Sequence, residues 1–90
     1  MVSFTLRTIT EEERVDAKKV IRDLRKVFGK ESIEVRDYKL WYSIEVKGAN
    51  AWIGVKDMLY EDKSRLHLFN GDRSLNFDID LDYCDTIYLL

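Results

Sequence analysis

From Leu75 to Leu81 the chain reads Leu-Asn-Phe-Asp-Ile-Asp-Leu, so Asp78, Asp80 and Asp82 fall at every second position. Three carboxylates in step suit three kinds of chemistry: holding calcium, imitating the phosphates of a nucleic acid, or meeting a basic partner. The calcium reading starts well, because Asp-x-Asp-x-Asp opens an EF-hand loop. It then fails at Tyr83, which holds the sixth position where Gly is needed, and at Leu89, which holds the twelfth where Glu closes the site. On a strand, alternate residues stand about 6.7 Å apart, whereas two oxygens on one calcium lie at most about 5 Å apart. No metal is expected, and the row reads as the polar side of a half-buried strand.

Catalysis has less to work with. His67 is the only imidazole and Cys84 the only thiol. A Gly-rich phosphate loop, a Cys/His metal spacing and a Ser/His/Asp arrangement are all missing from the sequence. His67 reads as a surface or partly packed side chain, and Cys84 as a small core filler. The expectation is a non-enzymatic chain with no catalytic residue and no cofactor, and none of these motifs carries a resemblance to a known family.

Binding has better candidates. Trp41 and Trp52 sit at positions that alternate with apolar residues, so they are expected on the outer face of a sheet, beside the small Ser43 and Gly54. Aromatic side chains bury large area with few rotatable bonds, which makes an exposed pair a natural contact point. The expected partner-binding set is Trp41, Trp52, Asp78, Asp80 and Asp82, facing a protein partner that is basic where it meets the carboxylates. A homodimer would use the same face. The role is that of an accessory or inhibitor-type interaction module.

The alternative reading is nucleic-acid binding through Lys18, Lys19, Arg22, Arg25 and Lys26, a basic stripe on a helix. Asp16 and Asp23 interrupt that stripe, the isoelectric point is about 5.4, and cations in a last helical turn already serve the helix dipole. These features favour the protein partner.

The elements that must position these groups follow from periodicity. Val2, Phe4 and Leu6 alternate with Ser3, Thr5 and Arg7, giving a first strand. Thr10-Glu11-Glu12-Glu13 is a capping box, followed by Ala17, Val20, Ile21, Leu24, Val27 and Phe28 as one apolar helical stripe. Gly29 suits the helix end. The period then becomes two: Tyr38, Leu40, Tyr42, Ile44 and Val46 are expected to face inward on one strand. A loop at Lys47-Gly48-Ala49-Asn50 would set Val46 opposite Ala51, Ile44 opposite Ile53, and Tyr42 opposite Val55. The same register would set Glu45 opposite Trp52 and Trp41 opposite Lys56.

A second hairpin is signalled by Asn70-Gly71. With Asn70 to Arg73 as its loop, Leu68 faces Leu75, Leu66 faces Phe77, His67 faces Asn76, Arg65 faces Asp78, and Lys63 faces Asp80. The apolar tail from Thr86 to Leu90 reads as a last strand beside the first. The expected fold is α+β, one domain over residues 1–90: a single helix packed on one face of a mainly antiparallel, curved sheet of five to six strands, in the order β-α-β-β-β-β-β.

Composition agrees with a small globular unit. Of the 90 residues, 46% are hydrophobic and 36% charged, as expected where surface dominates volume. The net charge of -2 conceals an asymmetry, because the first 48 residues carry eleven Lys or Arg against nine Asp or Glu while the remainder carries four against eight. The acidic character belongs to the C-terminal part. With one Cys no internal disulfide can form, which suits a reducing compartment. No stretch approaches the roughly 18 apolar residues of a membrane span. A complete cytoplasmic chain with no membrane attachment is expected.

Overall fold

The structure, a computed structural model, describes residues 2–57, 61–80 and 87–89, with side chains for 2–52 and 65–76. In chain order the elements are β1 (Val2–Arg7), α1 (Glu11–Phe28), a one-turn 3-10 helix (Lys30–Ser32), β2 (Ile33–Asp37), β3 (Trp41–Val46), β4 (Asn50–Asp57), β5 (Glu61–Asn70), β6 (Arg73–Asp80) and β7 (Ile87–Leu89). The strands form two antiparallel sheets, ordered β2-β3-β1-β7 and β4-β5-β6, in place of the expected single sheet of five to six strands, because β4 pairs with β5 and not with β3. The class is the expected α+β, with α1 packed against antiparallel strands.

Thr10 begins α1 as its spacing to Glu13 requires. Its side-chain oxygen accepts from the Glu13 N–H at 3.1 Å, and its own N–H donates to Glu13 Oε1 at 2.8 Å. Gly29 ends the helix at φ +92°, its N–H donating to the Arg25 carbonyl. The apolar stripe buries Ala17, Ile21, Leu24 and Phe28, with Val20 and Val27 at its margins. It lies on the inner face of the first sheet, where Val2, Val46 and Ile33 form one cross-strand row and Phe4, Ile44 and Val35 the next. The helix also contacts β6, and Leu66 and Leu68 of β5 are fully enclosed in the same core.

Three expectations about the strands are corrected. The order contains one strand more, because Ile33–Asp37 alternates with period two and pairs with β3. The long strand from Tyr38 to Val46 is broken at its start: the chain reverses at Lys39, and Tyr38 and Leu40 are exposed rather than inward-facing. The Val46/Ala51 hairpin does not form, since β3 has β1 and β2 as neighbours while β4 pairs with β5. Alternation fixes which face a residue takes but not which strand lies beside it. Between β3 and β4, Gly48 at φ +73° and the buried Ala49 carry the chain from one sheet to the other.

The second hairpin has the expected register at every pair, including Arg65 with Asp78 and Lys63 with Asp80. Its tip is tighter than expected. Asn70 pairs with Arg73, leaving Gly71 and Asp72 as a two-residue turn in which only Gly71 has positive φ, at +61°, the pattern of a type II′ turn. A four-residue loop and this turn share one register, so the pairing is as expected while the turn is two residues shorter. The last strand also lies where expected, with Val2 opposite Leu89 and Phe4 opposite Ile87.

Candidate interaction surface

The Lys39 turn gathers exposed apolar side chains at one end of the first sheet. Two chain segments meet there. Thr8, fully buried in the link between β1 and α1, donates its N–H to the Leu40 carbonyl and its hydroxyl to the Lys39 carbonyl, each at 2.8 Å. The adjoining Ile9 is 58% exposed, and across the turn Leu40 is 55%, Tyr38 46% and Trp41 40% exposed. The Tyr38 and Trp41 rings stack with centroids 5.3 Å apart and planes 25° from parallel. A single exposed Leu has no special meaning, but apolar side chains collected on one rigid tip do.

Local hydrogen bonds hold the tip in one shape. Asp37 Oδ1 accepts from the Lys39 N–H at 2.8 Å, Leu40 N–H donates to the Tyr38 carbonyl at 2.9 Å, and Tyr38 N–H donates to the Trp41 carbonyl at 3.0 Å. The bond from residue 40 to residue 38 closes a γ-turn around Lys39, whose φ is +73°. That conformation is rare and strained for a residue with a side chain, so the surroundings must enforce it.

The base of the tip is braced by charge. Arg7 Nε donates to Glu13 Oε2 at 2.5 Å, with the Glu13 side chain only 3% exposed. Burial works against the Glu13 charge, but hydrogen bonds from the Thr10 N–H and the Arg7 guanidinium, with the Arg7 charge, hold its pKa below the ordinary carboxylate value. The carboxylate therefore links β1 to the first turn of α1.

The two tryptophans do not share a sheet. Trp41 stands on β3 opposite Arg7, and Trp52 stands on β4 opposite His67. Trp52 is exposed, as expected, and the half-buried His67 contacts Asn76 through Nδ1 and lies 5.4 Å from the Phe69 ring, centroid to centroid. Asp78 and Asp80 take their expected places on β6; their side chains, like Asp82 and Cys84 altogether, lie outside the described residues.

Lys18, Lys19, Arg22, Arg25 and Lys26 are all exposed on α1, and the structure sorts them into two sets. Lys18, Arg22 and Arg25 line a groove that also takes in Ile21, Val35, Asp37 and Tyr42, whereas Lys19 and Lys26 stand apart from it. The sequence reading missed Ile9, Tyr38 and Leu40 as surface groups. The signal available was Asp37 two residues before Lys39, the spacing of a side chain that caps its own turn. No described helix is long and apolar enough to cross a membrane. Compared with protein-family models, curated proteins and solved structures, the chain matches none.

Proposed function

We propose that this chain is a small non-catalytic interaction module that binds a partner protein through the hairpin tip formed by Tyr38, Leu40 and Trp41 with Ile9 beside them. One observation carries the reading: three large apolar side chains, Tyr38, Leu40 and Trp41, stand exposed at a turn held by the Thr8, Asp37 and Tyr38 hydrogen bonds, with the exposed Ile9 in the adjoining link. A tip already fixed in shape loses little conformational freedom on binding, so more of the contact energy is kept as affinity. Stacked Tyr and Trp are the residue types that dominate such contacts. A cytoplasmic setting is part of the same proposal, supported by the lone Cys84, which can form no internal disulfide and so suits a reducing compartment.

The test is comparative capture from the cell of origin. Wild-type chain is set against Leu40→Asp and against Trp52→Ala, with a nuclease-treated repeat of each. A protein retained by wild type and Trp52→Ala, lost with Leu40→Asp and indifferent to nuclease supports the reading. Equal capture by all three chains, with each shown to be folded by circular dichroism, refutes it.

A further inference from the structure

Strand β2 is an edge of its sheet, and its hydrogen-bonding parity follows from its two ends. Tyr38 N–H donates to the Trp41 carbonyl and Lys47 N–H to the Ser32 carbonyl, so residues 32, 34, 36 and 38 turn their backbone groups toward β3. Residues 33, 35 and 37 consequently turn theirs outward. The Ile33 N–H is taken by the Lys30 carbonyl. The N–H and C=O of Val35 and Asp37 have no hydrogen-bond partner among the described residues.

Directly beside this edge lies the groove of about 460 Å³ between α1 and the first sheet. Val35 and Asp37 line it from β2, Tyr42 from β3, and Lys18, Ile21, Arg22 and Arg25 from α1. The three cations recur at steps of four and three, which places them along one side of the helix. Arg22 has a distant contact with Asp23 at 3.8 Å, while Lys18 and Arg25 make no ion pair among the described residues. Asp37 is the one carboxylate in the lining, and it already accepts from the Lys39 N–H.

We infer that this edge and groove together bind an extended acidic peptide, which adds to β2 as a further strand and sends alternate side chains under Lys18, Arg22 and Arg25. A strand laid at the usual spacing of about 4.8 Å pairs its backbone with Val35 and Asp37, and every second side chain enters the groove. Carboxylates there meet guanidinium forks suited to paired hydrogen bonds, and aliphatic parts meet Ile21 and Val35. A nucleic acid satisfies the cations but offers no ladder to the Val35 and Asp37 backbone groups, which is what favours a peptide. The site adjoins the Trp41 tip at Asp37 but uses none of the tip's exposed apolar side chains, so it does not depend on a partner sitting there.

The probe is an end-labelled peptide of alternating valine and glutamate, titrated against the full chain by fluorescence anisotropy. Binding is expected, with loss of at least about tenfold in Arg22→Glu/Arg25→Glu, which is the affinity step expected from reversing two contacting charges. Lys19→Glu/Lys26→Glu should bind as wild type, and lysine in place of glutamate in the peptide should abolish binding. Because the probe can also be N-methylated, the ladder is tested without altering the protein: methylation of one alternate set of amides should abolish binding and of the other set should not. Binding indifferent to both methylation patterns would overturn the strand-addition inference. So would displacement of the peptide by a tighter-binding single-stranded oligonucleotide. Sedimentation showing a dimer that Arg22→Glu/Arg25→Glu dissociates would also overturn it, giving the groove to a second copy instead.

Discussion

The Thr8 hydroxyl donates to the Lys39 carbonyl at 2.8 Å, across 31 positions of sequence. With the parallel bond from its own N–H to the Leu40 carbonyl, this buried threonine fastens the tip of the β2–β3 hairpin to the start of α1. Thr8→Val keeps the shape and removes the donor. It should cost about 1–2 kcal/mol in urea unfolding, because a carbonyl satisfied in the native state loses its partner, while Thr8→Ser should cost less. A variant that unfolds at the wild-type midpoint would mean that the bond contributes nothing to holding the tip.

Glu13 gives the fold a defined response to acid. Its folded pKa lies below the ordinary value of 4.5, since the Thr10 N–H and the Arg7 guanidinium outweigh the effect of burial. A depressed carboxylate contributes stability above its unfolded pKa and loses that contribution as pH falls through the folded value. The urea midpoint of wild type should therefore fall between about pH 5 and about pH 3 by more than that of Glu13→Gln, which keeps the capping geometry without the titrating charge. Parallel acid profiles for the two proteins would mean that the Glu13 charge does not stabilise the fold.

The two hairpin tips make opposite predictions. Gly71 sits at φ +61° with open space where a Cβ would stand, so Gly71→Ala should lose about 1–2 kcal/mol through backbone conformation alone. Lys39 sits at φ +73° with a side chain, so Lys39→Gly should relieve strain and raise stability by up to about 1 kcal/mol. Equilibrium unfolding of both variants, with circular dichroism to establish that the sheets persist, reads the two signs directly.

What the sequence made legible follows the physics of each signal. Thr10 and Glu13 act within one helical turn, so their spacing alone defined the start of α1. In the second hairpin, Leu66, Leu68, Leu75 and Phe77 had a single arrangement that kept them on one side, and the register from Lys63/Asp80 to Leu68/Leu75 followed. Val46 and Ala51 were close in sequence and both apolar, yet Val46 lies between Val2 and Ile33. Nothing local distinguishes those neighbours, because the choice is made by the whole core. Tyr38 and Leu40 continued the alternation of Tyr42 and Ile44 and so passed for inward residues. Only the left-handed turn at Lys39, enforced from Thr8 and Asp37, brings them to the surface with Trp41 and makes a candidate site.

A photo-crosslinking amino acid at position 40 reports directly whether a partner sits on the tip. The same group at position 19, on the exposed side of α1, provides the comparison. Irradiation in the cell of origin should give a discrete protein adduct from position 40 and none from position 19. Adducts of equal yield from both positions, or none from position 40 in a chain that is folded and expressed, would mean that no partner sits on the tip.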